Sequence, residues 1–239
     1  MADLDFLTRA PFAHRGLHGS GVVENSRAAF EAAIAAGHSV ETDVQVSKDG
    51  EAMVFHDYEL DRMTDKSGPV IDRKAAKLEK LMLKGSDETM PRLPEMLALV
   101  DGRVPIMIEL KAKDRKVKKL CRSVAAALAD YRGEAAIMSF NPEVGRWFMR
   151  NAPAVVRGLV ITEKFEVTLA QRLKGPMQRS LSVFRAEPQF LAYDIRDLPS
   201  AFAESLREKG MPVVTWTVRI EDEHARAAES ADQIVYETL

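Results

Sequence analysis

The sequence has little of several features that mark particular classes of protein. Its 239 residues include one cysteine, Cys121, which excludes an intrachain disulfide framework and a multi-cysteine zinc site. No apolar run approaches the roughly 18 residues of a transmembrane helix. The first residues are acidic, and no apolar region follows them, so no signal peptide is indicated. We expect a cytoplasmic protein without a stable membrane anchor, although an exported chain that had lost its leader would look the same.

The chain also lacks a strong charge of either sign. With 34 basic and 36 acidic residues, the net charge of -2 gives no electrostatic reason to expect a nucleic-acid partner. Only 13 glycines and 11 prolines are present, too few for a fibrous chain, while 46% hydrophobic residues are ordinary for a globular protein. The length suits a single α/β barrel.

Short apolar runs alternate with helical patterns along the chain. Several runs are β-branched and nearly continuous, which is typical of strands buried on both faces of a parallel sheet. The predicted strands are 11–14, 39–46, 53–56, 104–110, 135–140, 155–161, 190–195, 213–218 and 233–236. Helices are predicted at 25–36, 93–100, 115–131, from 141 onward, 198–209 and 221–230.

One connection is too short for a parallel crossover. Residues 47–52 contain Asp49-Gly50, a hairpin signal, so 53–56 should return antiparallel beside 39–46. Eight strands with helix-compatible connections remain, which predicts a TIM-type (β/α)8 barrel. An open doubly wound sheet is the alternative, but no glycine-rich phosphate loop follows the first strand. Residues 57–103 read as an excursion over one barrel face within a single domain spanning 1–239.

Charged residues lie in two of the apolar strands. Glu41 and Asp43 are two positions apart and therefore point the same way, and Glu109 and Lys111 form a second such pair. Each carboxylate alone could sit at a strand end in water or in a local pair. Three of them on the barrel face where active sites gather favour a cation site, and an all-oxygen ligand set suits Mg²⁺, Ca²⁺ or Mn²⁺.

Two histidines occupy matching strand ends. His14 is followed by Arg15 at the end of the first strand, and His56 ends the predicted ribbon. A lone histidine there is usually structural, but two near an acidic site suggest acid–base chemistry on an anion. Arg15 and Lys111 suit phosphate oxygens, which favours phosphoryl transfer.

Two aromatic residues also fall near strand ends. Phe140 and Trp216 would either fill the core or form an apolar wall for substrate.

Eight short stretches of the sequence follow one another in a characteristic order: Ala13-His14-Arg15-Gly16, Glu24-Asn25-Ser26, Glu41-Thr42-Asp43-Val44-Gln45, Lys48-Asp49-Gly50, Val54-Phe55-His56-Asp57, Ile108-Glu109-Leu110-Lys111, Ser139-Phe140 and Trp216-Thr217-Val218. In this order they resemble the glycerophosphodiester phosphodiesterase family, and the resemblance extends over nearly the whole chain.

The resemblance implies a TIM-type barrel with a small insertion after the second strand, and metal-dependent hydrolysis of glycerophosphodiesters to glycerol 3-phosphate and an alcohol. It implies that Glu41, Asp43 and Glu109 hold one divalent cation. His14 and His56 would serve as general base and acid, and the basic side chains of Arg15 and Lys111 would hold the phosphate. The glycerol 2-hydroxyl would attack phosphorus and give a cyclic phosphate.

Two positions depart from the family pattern. Arg219 stands where the family usually has Asn, and Glu237 stands where it usually has Asp. Both bear on the alcohol preference and the mouth of the site. The alternatives are hydrolysis of lysophospholipids or other phosphodiesters on the same barrel, and non-catalytic binding of glycerophosphodiesters. The sequence does not fix the oligomeric state.

Overall fold

In a computed structural model, the chain forms a closed barrel. The structure describes residues 3–163 and 169–238. The strands are β1 (Phe12–Ala13), β2 (Ser39–Val46), β3 (Ala52–Val54), β4 (Ile106–Leu110), β5 (Ala135–Ser139), β6 (Val156–Ile161), β7 (Phe190–Asp194), β8 (Val213–Val218) and β9 (Gln233–Tyr236). The α-helices are α1 (Phe6–Arg9), α2 (Arg27–Ala35), α3 (Ala75–Leu78), α4 (Leu93–Val100), α5 (Lys118–Ala129), α6 (Pro142–Asn151), α7 (Leu169–Ala186), α8 (Ala201–Arg207) and α9 (Glu221–Ser230).

Closure of the barrel depends on the two-residue strand β1. Phe12 pairs with Ser39 of β2 on one side and with Val235 of β9 on the other, both in parallel. The remaining barrel strands are parallel neighbours in the order β9-β8-β7-β6-β5-β4-β2. A sheet whose first strand joins its last has no free edge. The predicted TIM-type barrel is therefore confirmed, and the open sheet was the wrong alternative.

The strand β3 lies outside this ring as the predicted ribbon. It pairs antiparallel with the outer half of β2, with Val54 opposite Val44 and Ala52 opposite Val46. The tight turn uses Gly50, whose φ of 99° lies in the left-handed region that glycine adopts without a side-chain clash.

Residues 57–103 share a small apolar cluster with β3. The segment contributes Leu60, Val70, Ala75, Leu78, Leu83 and Met90, and Met53 of β3 and the adjoining Phe55 complete the cluster. The segment ends in α4, which packs between α2 and α5 in the outer layer of helices. The excursion therefore covers the barrel near β3 and then supplies one of its helices.

Most predicted helices are present, and their starts follow local chemistry. Ser26 accepts a hydrogen bond from the Ala29 amide at the start of α2, and Asn141 caps α6 ahead of Pro142. The helix α7 was not predicted, since Gly175-Pro176 interrupts its pattern with two residues that disfavour a helix interior. Among the described residues, no helix is both long enough and apolar enough to cross a bilayer.

The barrel interior is closed at the amino-terminal end by α1. Phe6 and Leu7 pack in one cluster with Phe12, Phe190 and other inward-facing side chains. A packed lower interior leaves the carboxyl ends of the strands as the open face.

Candidate active site

Three buried carboxylates meet near the carboxyl ends of β2 and β4. Glu41 and Asp43 alternate with outward-facing residues of β2, and Asp43 is the direct strand partner of Glu109. Their relative exposures are 1%, 0% and 7%. Each offers an oxygen within 4.8 Å of the oxygens of the other two. The predicted triad is therefore brought together in space.

Two cations face this cluster. Lys111 Nζ lies 3.0 Å from Asp43 Oδ1 and 2.9 Å from Glu109 Oε1. Arg15 Nε lies 3.2 Å from Asp43 Oδ2, and the Arg15 amide donates to Glu41 Oε2 over 3.1 Å. The two residues predicted to hold phosphate thus both border the carboxylates, one at each side-chain oxygen of Asp43.

The electrostatics of the three carboxyls differ. Burial raises the pKa of Asp43, but the Lys111 and Arg15 charges outweigh it and hold that pKa well below its ordinary value. Burial, with repulsion from Asp43 and Glu109, raises the pKa of Glu41 well above its ordinary value. The pKa of Glu109 is also raised, first by burial. The cluster thus carries more carboxyl groups than the positive charges of Arg15 and Lys111 can keep ionised.

The donor set fits a divalent cation. Asp43 Oδ1 is buried beside the Lys111 ammonium, and the three carboxylates together offer only oxygen donors. A donor set of this kind suits Mg²⁺, Ca²⁺ or Mn²⁺ better than a softer metal.

The backbone after β1 brings Arg15 into the site. Arg15 and Gly16 both have positive φ, 56° and 78°. A Cβ on Gly16 would lie 2.7 Å from the Ala29 carbonyl carbon, so only glycine lets the turn pack on α2. Asn25, also at positive φ, donates to Asp43 Oδ2 over 3.2 Å. Strained residues on both sides of the cluster are typical of functional sites.

His14 lies at the inner wall of the site. Its Nε2 is 3.9 Å from Glu41 Oε2, and its Nδ1 is hydrogen-bonded to Glu237 Oε1 at the end of β9. Burial lowers the pKa of His14, and the hydrogen bond to Glu237 opposes that shift. The imidazole is therefore held with one nitrogen toward the carboxylates.

His56 lies on the outer side. Its Nδ1 is 2.6 Å from Asp57 Oδ1, and Arg62 Nε donates to Asp57 Oδ2 over 2.6 Å. Burial lowers the pKa of His56, and the Asp43 charge opposes the change. The side chain is 31% exposed, against 12% for His14. The two predicted histidines thus flank the triad from different environments.

A cavity of about 510 Å³ opens beside His56. Its walls include Tyr58, Glu109, Lys111 and Phe140. Phe140 packs edge-on against Trp216 with ring centroids 5.6 Å apart, and Trp216 Nε1 donates to the Ala192 carbonyl. A larger groove of about 830 Å³ lies outside the barrel, between the β2–β3 hairpin and α5, and contains none of these site residues. The smaller cavity is therefore the one next to the chemistry.

Several residues of the site had no predicted role. Glu24 accepts from both Arg15 and Arg62, which links the Arg15 turn to the excursion. Asn25 receives a hydrogen bond from Thr42 while it donates to Asp43. From the sequence, Glu24 and Asn25 were noted only within a stretch that resembles the family. Arg62 had no sequence signal, because its partners come from two separate loops.

The two departures from the family pattern are in contact. Arg219 Nε donates to Glu237 Oε2 over 2.6 Å. His14, His18 and Glu237 place nitrogen and oxygen atoms within 4.8 Å of one another, as a metal site does. However, both Glu237 oxygens are already hydrogen-bonded, one to His14 and one to Arg219. We interpret this group as a hydrogen-bond network.

Comparison with known proteins agrees with this geometry. The model of the glycerophosphoryl diester phosphodiesterase family matches residues 14–232. A glycerophosphodiester phosphodiesterase of Caldanaerobacter subterraneus subsp. tengcongensis is 29% identical over 234 residues, covering 93% of this chain and 91% of that protein. One of Bacillus altitudinis is 37% identical over 110 residues, covering 43% of this chain and 44% of that protein.

A solved structure has the same fold. A phosphodiesterase of Oleispira antarctica, in complex with the product sn-glycerol-3-phosphate, superimposes with a TM-score of 0.80. It is 21% identical, and the match covers 97% of this chain and 93% of that one.

Proposed function

Since the chain belongs to the glycerophosphoryl diester phosphodiesterase family, we propose that it hydrolyses glycerophosphodiesters to glycerol 3-phosphate and an alcohol, with a divalent cation bound by Glu41, Asp43 and Glu109. One observation carries this proposal. The buried carboxylate triad lies beside His14 and two basic side chains, and the cavity that its Glu109 lines is also lined by His56. A structural barrel or a simple binding protein has no need for this combination.

The charge balance of the site supports a phosphodiester as substrate. With all three carboxylates ionised, Arg15 and Lys111 leave one negative charge, and a divalent cation changes this to one positive charge. A phosphodiester monoanion then neutralises the site. The cation, when bound, offsets the carboxylates and polarises the phosphate. Arg15 and Lys111 orient the phosphate oxygens by hydrogen bonds.

The surroundings of the histidines support distinct roles. We assign His14 as the general base, because its Nε2 faces the carboxylate cluster while its Nδ1 is engaged by Glu237. It accepts the proton of the glycerol 2-hydroxyl as that oxygen attacks phosphorus. His56 lines the 510 Å³ cavity and protonates the departing alcohol oxygen. The resulting five-membered cyclic phosphate is opened by water.

The cavity beside His56 then receives the alcohol. Tyr58 and Phe140 provide aromatic walls, and Lys113 Nζ stacks 3.9 Å above the Tyr58 ring. We propose that Phe140, with its neighbour Trp216, borders this part of the substrate. We also treat residues 1–239 as one domain that includes 57–103. A cytoplasmic location stays an expectation from the sequence, which fractionation of cells would test.

The direct test is a substrate and metal panel. Purified protein is incubated with glycerophosphocholine, glycerophosphoethanolamine and lysophosphatidylcholine, each with Mg²⁺, Ca²⁺, Mn²⁺ or a chelator. Glycerol 3-phosphate should appear from the first two substrates and only with metal. Preferential turnover of the lipid would favour the lysophospholipid alternative. Tight binding without hydrolysis under every metal would contradict the enzyme proposal.

A further inference from the structure

Three side chains in contact lead from the surface of the barrel mouth to the half-buried His14. Arg219 follows β8, Glu237 follows β9, and His14 follows β1. Arg219 Nε donates to Glu237 Oε2, and Glu237 Oε1 is hydrogen-bonded to His14 Nδ1. We propose that Glu237, held by Arg219, is the positioning residue that fixes the orientation and tautomer of His14.

The backbone leaves this contact little freedom. The His14 amide donates to the Tyr236 carbonyl over 2.9 Å, and the Glu237 amide donates to the Val218 carbonyl over 3.0 Å. Both residues are therefore pinned to neighbouring strands at the barrel seam. The Glu237 side chain is 16% exposed, and Arg219 covers its outer oxygen. A hydrogen bond between two residues whose backbones are held in this way fixes the plane of the imidazole ring.

Donor and acceptor chemistry then assigns the proton. An ionised carboxylate only accepts hydrogen bonds, so a neutral His14 donates through Nδ1–H and leaves Nε2 as the acceptor. Burial raises the pKa of Glu237, but His14, His18 and Arg219 lower it well below its ordinary value, so the group is ionised at neutral pH. The free Nε2 is the nitrogen that lies 3.9 Å from Glu41. A general base at the cation site needs this tautomer.

Four substitutions at Glu237 and Arg219 separate the effect of side-chain charge from the effect of side-chain size. In Glu237→Gln the amide group can donate to Nδ1, which places the proton on Nε2 and blocks the base. Glu237→Asp keeps a carboxylate. Arg219→Ala removes the side chain that donates to Glu237 Oε2, while Arg219→Lys keeps a positive charge at this position. Glu221→Gln, an exposed carboxyl of α9, is the matched control.

The inference rests on the proposed function, so its test combines kinetics with a readout that needs no turnover. With glycerophosphocholine and saturating Mg²⁺, Glu237→Gln should lower kcat about 100-fold, within the range for loss of a general base, with KM changed less than about threefold. Glu237→Asp should recover at least about tenfold of that loss. Arg219→Ala should cost about tenfold, and Arg219→Ala/Glu237→Gln should be no worse than Glu237→Gln, since Arg219 acts through Glu237. Glu221→Gln should match the wild type.

The second readout is the His14 tautomer. Long-range ¹H–¹⁵N spectra of ¹⁵N-histidine-labelled protein near pH 8, where an ordinary histidine with a pKa of about 6.5 is neutral, show which ring nitrogen carries the proton. His14→Ala assigns the resonance. The wild type should show Nδ1–H, and Glu237→Gln should shift the proton toward Nε2, even if the protein hydrolyses no glycerophosphodiester.

Two results would overturn the inference. One is a wild-type His14 that carries its proton on Nε2. The other is an active, folded Glu237→Gln enzyme whose kcat stays within twofold of the wild type. Loss of folding in Glu237→Gln leaves the wild-type spectrum and Glu237→Asp as deciding measurements. Absence of turnover with the expected tautomer would instead contradict the proposed function.

Discussion

The two histidines of the site have the same hydrogen-bonding arrangement in different surroundings. His14 lies on the inner side of the site and His56 on the outer side. His14 and His56 each engage a carboxylate through Nδ1, and each carboxylate is held by an arginine, Arg219 in one case and Arg62 in the other. The His14 side chain is 12% exposed and faces the carboxylate triad, whereas His56 borders a cavity and is 31% exposed. In the proposed mechanism, since the hydrogen bonding is similar, the environment of each imidazole determines which one accepts a proton and which one donates it.

The partners also differ in how the chain supplies them. Asp57 is the next residue after His56, so the outer pair forms within one loop. Glu237 lies 223 positions from His14 and reaches it only because β1 and β9 pair to close the barrel. The inner histidine is thus coupled to completion of the fold, and the outer one is not.

Loss of Asp43, which belongs to the carboxylate triad shared by both sides of the site, should reduce activity most. Asp43→Asn removes the buried carboxylate that contacts both Arg15 and Lys111 in the proposed cation site, and transition-state stabilisation of several kcal/mol corresponds to a loss of about 10³-fold or more. Turnover of glycerophosphocholine, measured as glycerol 3-phosphate released, should fall this far whichever alcohol leaves. Glu134→Gln, a carboxyl outside the site that pairs with Arg9, is the control. Retention of a tenth of the activity would separate the triad from catalysis.

A smaller effect should distinguish the outer side. Asp57→Asn weakens the support of His56 and should lower kcat for glycerophosphocholine about tenfold, a fraction of the range for general acid catalysis. The same variant should change little with a glycerophosphodiester whose leaving group is p-nitrophenol, which departs without a proton. Comparable losses on the two substrates, measured by steady-state kinetics, would mean that Asp57 does not act through His56.

Stabilisation of the protein by a divalent cation at the carboxylate triad should depend on pH. Because the pKa values of Glu41 and Glu109 are raised, protons compete with the cation at acidic pH. The metal-free protein gains stability from these protonated groups at low pH and loses it as pH rises through their folded pKa values. Cation-induced stabilisation should therefore grow with pH. At 100 times the dissociation constant it contributes about 2.7 kcal/mol, or about 5–10 °C in Tm for a domain of this size. Thermal unfolding with and without Mn²⁺ at several pH values checks this, and a Tm shift that shrinks as pH rises would contradict it.

The smallest effect concerns the cavity wall. Phe140 is 44% exposed and contacts Trp216. Phe140→Ala should raise KM for glycerophosphocholine about threefold with kcat nearly unchanged, because it removes a contact to the alcohol and leaves both histidines in place. Steady-state kinetics with Phe140→Leu as the control would show whether the aromatic ring matters. A fall in kcat with unchanged KM would place Phe140 in the chemistry instead.

The sequence predicts the barrel and the triad well because both depend on local pattern. Alternation within β2 puts Glu41 and Asp43 on one face, and parallel pairing with β4 makes Asp43 the neighbour of Glu109. The Asp49-Gly50 hairpin was likewise predicted, although β3 is Ala52–Val54 rather than 53–56. The helix α7 was not predicted because Gly175 and Pro176 both disfavour a helix interior. It forms nevertheless because it packs against α6.

The supporting side chains of the site were harder to predict. Arg62 bridges Asp57 and Glu24, which come from different loops, so no spacing in the sequence reveals the contact. Arg219 and Glu237 were noticed only as two separate departures from a family pattern. Their contact with each other and with His14 depends on three adjacent strand ends, which the folded barrel alone brings together.

The most direct test of the assignment of the histidines is a change of leaving group. Turnover by His14→Ala and His56→Ala is measured with glycerophosphocholine and with the p-nitrophenyl ester of glycerol 3-phosphate. We predict that both variants lose about 100-fold or more on the choline substrate, that His56→Ala recovers to within about fivefold of the wild type on the aryl ester, and that His14→Ala does not. Recovery of His14→Ala on the aryl ester, with His56→Ala still inactive, would contradict the assignment.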